Sequence, residues 1–247
     1  MAAEVIPENH GGMRSGGAEL AGLAALLADR TRADICLALL DGRAWTAGEL
    51  ARYAGVAAST ATEHLNRLLA GGLLAERRQG RHRYVQLADA RVAELLEAMN
   101  AYIGPPGGPV SGLKSATVAA TLARGRTCYD HLAGRLGVAI TDALTAREFL
   151  DTSAGFVLTD SGVALLTGPF GVDPATLRKT RRPVVRPCLD WTERRTHLGG
   201  VAGAQLCRRL RELEWVKRIG SGRAIAVTAK GEAGLRDLLG IEAAELR

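Results

Sequence analysis

Apolar positions over the first hundred residues recur first at the spacing of one helix face and then at the alternation of strands. Leu20, Leu23, Leu26, Leu27, Ile35, Leu39 and Leu40 follow a helical period, and the polar stretch Asp29 to Arg32 divides them into two predicted helices. Asp41-Gly42 closes this segment. Thr46 and Glu49 then have the spacing at which a hydroxyl and a carboxylate cap each other's backbone amides, which predicts a helix from about Ala47. That helix is expected to turn Leu50 and Tyr53 inward and to stop at Gly55, where a tight turn calls for a residue tolerant of positive φ. A second helix is predicted from Ala58 to Gly71-Gly72. Its inward face is Ala61, Leu65, Leu68 and Leu69, which leaves Ser59, Thr60, Thr62, Glu63 and Asn66 outward with His64 flanking them. Leu73 to Arg77 and Arg83 to Leu87 then read as two strands joined through Gln79-Gly80-Arg81.

Charge changes the meaning of this pattern. Arg77, Arg78, Arg81, His82 and Arg83 all fall on the predicted hairpin, beside a helix whose outer face is short and polar. Cations hold phosphates and position a protein, while short polar side chains reach base edges in the major groove, so double-stranded DNA is the expected partner. The net charge of +6 and the pI near 9.5 agree with a polyanionic partner. Units of this shape also serve as protein-interaction modules without specific DNA binding, and that reading stays open as the alternative. The next helix, Ala90 to Tyr102, carries Val92, Leu95, Leu96 and Met99 on one face and is expected to form a homodimer seam with the first helix.

From Glu19 to Met99 the chain resembles the ArsR-type winged helix-turn-helix repressors, small dimeric bacterial regulators. The resemblance rests on LADRTRADICLALL, TAGELARYAGV, STATEHLNRLLAGGLL and GRHRYVQLAD in that order. It implies that Ser59, Thr60, Thr62 and His64 face DNA and that the Asp29–Arg32 turn seats the first helices. There are departures: Ala57 stands where the family often has a capping serine, and Glu63 where a basic residue is common. The family's usual metal-sensing positions are also empty of ligands, since ELARY has no cysteine and DARVAELLEAM offers Asp89 but no histidine.

Gly104-Pro-Pro-Gly-Gly-Pro109 breaks any helix and marks a boundary. The expected organisation is a disordered tail (1–17), a DNA-binding and dimerisation domain (18–103), a linker (104–115) and a duplicated regulatory domain (116–247). Within the last, Cys128 to Leu150 matches Cys188 to Val216, His131-Leu-Ala-Gly aligns with His197-Leu-Gly-Gly, and Leu158–Gly162 aligns with Val227–Gly231. The fold class expected is mainly α with α+β character: a winged helix followed by a helical domain of two winged-helix-like repeats. The same region resembles the C-terminal extension of some actinobacterial ArsR-type regulators, which implies a fold and no ligand.

Cys128, Asp130, His131, Cys188, Asp190 and His197 are the chemically suggestive residues here. Cys128, His131, Cys188 and His197 together would make a tetrahedral set suited to zinc. A thiol redox pair and plain core roles are the competing readings, and the unequal Cys-to-His spacings of 3 and 9 weaken the metal signal. A small-molecule effector between the repeats, walled by Tyr129, Phe149, Phe156, Trp191 and Trp215, is a further alternative.

Four cysteines without a CxxC pair, no signal-like N-terminus and no run of about 18 apolar residues lead to a cytoplasmic protein with no membrane partner. No GxSxG, phosphate loop, HExxH or dinucleotide fingerprint is present, so an enzyme is not expected. The sequence therefore points to a homodimeric, sequence-specific transcriptional regulator, a repressor controlled through its C-terminal domain.

Overall fold

The computed structural model describes residues 16–80, 82–104, 113–153, 155–178, 182–220 and 222–246. Asp29 accepts a hydrogen bond from the Arg32 amide at 3.0 Å and separates α1 (Gly16–Leu27) from α2 (Arg30–Leu39), so the polar break in the hydrophobic period is a helix cap. β1 (Trp45–Thr46) leads into α3 (Ala47–Ala54). The capping box of α3 is complete: Thr46 Oγ1 accepts from the Glu49 amide, and the Glu49 carboxylate accepts from the Thr46 amide at 2.8 Å. Gly55, at φ +67°, makes the left-handed turn towards α4 (Ala58–Ala70). β2 (Leu74–Gln79) and β3 (His82–Leu87) pair antiparallel from Leu74↔Leu87 to Gln79↔His82, and β1 adds to the free edge of β3. α5 (Ala90–Ile103) follows, with Asp89 accepting from the amides of its first turn. Ile35, Leu39, Leu50, Leu65, Leu68, Val85 and Leu96 close the core of this winged helix.

Two inward assignments differ. Tyr53 is 56% exposed, and Ala51 is buried in its stead. The tyrosine ring lies outside the core instead, edge-on to Trp45 at 5.9 Å. Leu96 belongs to the core of the single chain, which leaves Met99, Tyr102 and Ile103 as the exposed apolar residues of α5. Nothing is described for the tail before Gly16 or for 105–112 of the linker.

After α6 (Leu113–Arg124), one element order runs twice: hairpin, helix, hairpin, helix. The first pass is β4 (Arg126–Cys128), β5 (His131–Ala133), α7 (Gly134–Ala146), β6 (Leu150–Asp151), β7 (Val157–Leu158) and α8 (Asp160–Thr167). α9 (Pro174–Arg178) intervenes. The second is β8 (Arg186–Leu189), β9 (Thr196–Gly199), α10 (Gly200–Glu212), β10 (Val216–Arg218), β11 (Ile225–Val227) and α11 (Ala229–Leu239). Matching residues do matching work. Thr159 caps α8 by accepting from the Gly162 amide at 3.1 Å, and Thr228 caps α11 by accepting from the Gly231 amide at 3.0 Å.

The halves clasp each other reciprocally, β5 packing on α10 and β9 on α7. Leu132, Leu136, Ile140, Leu198, Leu206 and Leu210 from both halves fill one core with Phe170. The clasp requires two backbones without side chains. A methyl placed on Gly203 of α10 would lie 2.2 Å from the Leu198 carbonyl and 3.2 Å from the His131 Cβ. One on Gly137 of α7 would lie 2.5 Å from the Leu132 carbonyl and 3.6 Å from the His197 Cβ.

Gly203→Ala should therefore destabilise the chain by about 1–3 kcal/mol through overpacking, seen as a lower urea midpoint at unchanged slope. Gly48→Ala, where a methyl meets nothing within 4 Å, should be neutral or gain roughly 0.5–1 kcal/mol.

Candidate functional site

Two sets of residues stand out, one on the winged helix and one inside the C-terminal half. On α4, Ser59 and Thr60 are exposed, and Thr62 is half-buried with its hydroxyl donating to the Ala58 carbonyl at 2.8 Å. His64 corrects the sequence reading. Its side chain is 14% exposed and lies in the seam with α2, Nδ1 at 3.7 Å from the Asp29 carboxylate and 3.5 Å from Arg32. Asp29, remote in sequence, places its cap carboxylate beside this flank of α4. Ala57 caps α4 without a side-chain hydrogen bond. The Glu63 carboxylate pairs with Arg67 at 2.6 Å, so its charge is balanced on α4 itself.

Arg77 and Arg78 are exposed on β2, and Arg83 is half-buried on β3. Glu76 takes hydrogen bonds from Arg78 and Arg83 at 2.8 and 2.7 Å, and Arg83 also reaches Asn66 Oδ1 of α4 at 3.0 Å. Arg81 lies outside the described residues. Arg67 and the Arg83–Asn66 link were not singled out in the sequence; only the fold brings β3 against α4.

Cys128, His131, Cys188 and His197 converge: one ligand atom from each lies within 4.8 Å of the others. The strand register explains why. Cys128 faces His131 across β4–β5, and Cys188 faces His197 across β8–β9, so the unequal spacings are hairpin loops of different length on the same register. The two sulfurs are 3.7 Å apart and the two Nε2 atoms 3.2 Å apart. Asp130 Oδ1 accepts from Nδ1 of His131 at 3.2 Å, and Arg182 holds Asp130 at 2.5 and 3.1 Å. Asp190 Oδ2 lies 3.5 Å from Nδ1 of His197 and accepts from Arg126 at 2.9 Å and from the Gly134 amide at 2.6 Å.

Electrostatics follow from this packing. Burial alone would pull the His131 pKa down, but Asp130 and Cys188 outweigh it and raise it to about 9. The hydrogen bond with Cys128 drives the Cys188 thiol well below its usual range, helped by both imidazoles, and the same contact drives Cys128 up. Burial works against ionised Asp190, and Arg126 together with hydrogen bonds from Thr192, Glu193 and Gly134 outweighs it, keeping that carboxyl far below the ordinary range. Cys36 and Cys207 are inert by comparison, their thiols pushed up by burial to about 12 and about 11.

A cavity of about 300 Å³ reaches this cluster from α5, lined among others by Glu94, Glu97, Tyr102, His131, Arg186 and Cys188. The five aromatic residues proposed as walls of one effector pocket do not meet. Phe149, Phe156 and Trp215 pack against the C-terminal core, Tyr129 packs against the winged-helix core, and Trp191 lies against Arg126 at 4.6 Å. The repeats bring their hairpins together instead, with the Cys/His cluster where the hairpins meet.

Residues 27–77 match the family model for a helix-turn-helix domain. Along nearly its full length the chain is 38% identical over 224 residues, 90% of this chain and 98% of the relative, to the uncharacterized HTH-type transcriptional regulator YdfF of Bacillus subtilis (strain 168). It is 40% identical over 77 residues, 31% of this chain and 64% of the relative, to the HTH-type transcriptional regulator CmtR of Mycobacterium tuberculosis. Among solved structures, a homodimeric winged helix-turn-helix DNA-binding domain from Mycobacterium bovis, Mb0332, is 27% identical at a TM-score of 0.34, covering 42% of this chain and 90% of that one. No helix among the described residues is long and apolar enough to cross a membrane. With a relative this similar over nearly its whole length, the chain belongs to the HTH-type transcriptional regulators.

Proposed function

We propose that this regulator is a homodimeric, sequence-specific repressor of the ArsR type that works in the cytoplasm. α4 enters the major groove, the β2–β3 wing grips the backbone, and an effector sensed in the C-terminal half biases the spacing of the two recognition helices. The observation that carries the DNA-binding reading is the Arg83–Asn66 contact at 3.0 Å, which ties the basic wing to the polar face of α4. Phosphate-positioning cations and base-reaching side chains thereby sit on one connected surface.

The dimer reading rests on surface left uncovered. α1 is largely apolar, yet none of its residues is buried, and Leu20 is 67% exposed. α5 adds Tyr102 at 93% and Ile103 at 72% exposure. A second copy of the chain supplies a partner with the same apolar stripes, as an isologous interface requires.

Binding measured by fluorescence anisotropy on duplexes from the regulator's own promoter tests the first part. Arg77→Ala should weaken binding to all sequences alike and lower the slope of log affinity against log salt by about 1, whereas Ser59→Ala should reorder sequence preference. A salt slope unmoved by Arg77→Ala would count against the wing's role, and no salt-dependent duplex binding at all would favour a protein-interaction module. For the second part, Tyr102→Glu combined with Ile103→Glu should convert dimer to monomer in sedimentation, and an unchanged dimer would rule out this seam.

A further inference from the structure

We propose that Cys128, His131, Cys188 and His197 form a tetrahedral site for one zinc-class divalent cation, and that occupancy of this site is transmitted through the hairpins to α5. The cation site stands on its own geometry; the regulatory half rests on the DNA-binding reading above.

The sulfur pair and the nitrogen pair already have the spacing that such an ion imposes, and all four donor atoms lie within 4.8 Å of one another. Bonds of about 2.3 Å to sulfur and about 2.0–2.1 Å to nitrogen at tetrahedral angles hold two sulfurs about 3.7–3.8 Å apart and two nitrogens about 3.3–3.4 Å apart. Here the separations are 3.7 and 3.2 Å. The outer shell agrees. Each histidine has an aspartate at Nδ1, Asp130 at 3.2 Å and Asp190 at 3.5 Å, and Nδ1 of His197 makes no hydrogen bond among the described residues. At His131 the carboxylate accepts from Nδ1 and leaves Nε2 facing the cluster, the arrangement found behind metal-bound imidazoles. Two thiolates and two neutral imidazoles balance a +2 ion, so the loaded centre adds no net charge to the interior, and whatever protons the four ligands carry leave to solvent on binding.

The centre is also placed to report. Cys128 and His131 are separated by two residues only, and both of these lead toward the winged-helix side. Tyr129, at φ +57°, packs against its core. Asp130 is held by Arg182, which lies 4.0 Å from Glu94 of α5. On the other hairpin, Arg186 precedes Cys188 by two residues and pairs with the same Glu94. The cation therefore joins two hairpins that each reach one carboxylate of α5, and the cavity beside Cys188 gives it a route to solvent.

The full-length chain, purified under reductant, should hold one zinc per chain by elemental analysis. Cobalt(II) added to the stripped protein should give the intense visible bands of a tetrahedral, thiolate-bound ion, and zinc should displace it. Cys188→Ser should abolish these bands, while Cys207→Ser should keep them. Should Cys188→Ser fail to fold, Asp130→Asn carries the test, with affinity expected to fall roughly 10- to 100-fold. Metal-free protein that takes up no cobalt, a Cys128–Cys188 disulfide in place of metal, or Cys188→Ser that binds cobalt normally would overturn the site. For transmission, removing the metal should change duplex affinity by roughly 5- to 150-fold, and Glu94→Gln should shrink that change with the cobalt spectrum intact. Stoichiometric metal with unmoved duplex affinity would overturn the transmission. Stoichiometric metal with no duplex binding in either state would overturn the DNA-binding reading and leave the cation site standing.

Discussion

Two imidazole nitrogens brought to 3.2 Å inside a closed interior impose an electrostatic demand that much of the C-terminal half is built to satisfy. Asp130 fixes the outer nitrogen of one ring, and Asp190 lies 3.5 Å from that of the other. Each carboxylate, taken out of water, needs a guanidinium, which brings in Arg182 and the fully buried Arg126. The rings can approach only because α7 and α10 present bare backbone at Gly137 and Gly203 beneath the opposing histidine. Thr141 adds a cross-link, its hydroxyl accepting from the Leu198 amide at 2.8 Å while donating to the Gly137 carbonyl. Removing the histidine contact would leave these polar groups without a purpose in an otherwise aliphatic core.

The same economy of polar contacts governs how the two halves of the chain meet. Their apolar cores are separate, and much of the joint between them is ionic. Arg223 reaches the buried Glu97 of α5 at 2.7 Å, and Arg218 donates to the Asp41 carbonyl at 3.0 Å. Apolar surfaces slide at little cost, whereas a buried ion pair has one good geometry, and breaking it by losing a partner costs about 3–5 kcal/mol. That exceeds the roughly 1–3 kcal/mol by which coupled sites usually influence each other. A joint of this kind is stiff enough to pass a displacement on instead of absorbing it.

Much of the winged helix was legible in the sequence because its signals are local. The Thr46–Glu49 capping box, the Gly55 turn and the inward face at Ala61, Leu65 and Leu68 each lie within a few residues of one another. What failed to show depended on distant partners. His64 stands at the edge of a helix face, and only the arrival of Asp29 decides which way it turns. Tyr53 looks like a core residue by period but lies outside, against Trp45, a partner that only the fold brings beside it. The Cys/His residues were visible as types, but counting along the chain mixed loop length with strand register, so spacings of 3 and 9 concealed one shared geometry. Asp130 and Asp190 drew notice for their charge, yet their place behind the imidazoles exists only in three dimensions.

The reciprocal clasp also divides one cluster evenly between two unlike loops. Each first hairpin of the two units brings one cysteine and one histidine face to face, half of a four-donor set. The turns that close those hairpins differ. One is a two-residue turn that sets Tyr129 against the winged-helix core, while the other is a longer loop that places Asp190 beside its own histidine. A meeting place with matched inner geometry thus has two sides that face different neighbours.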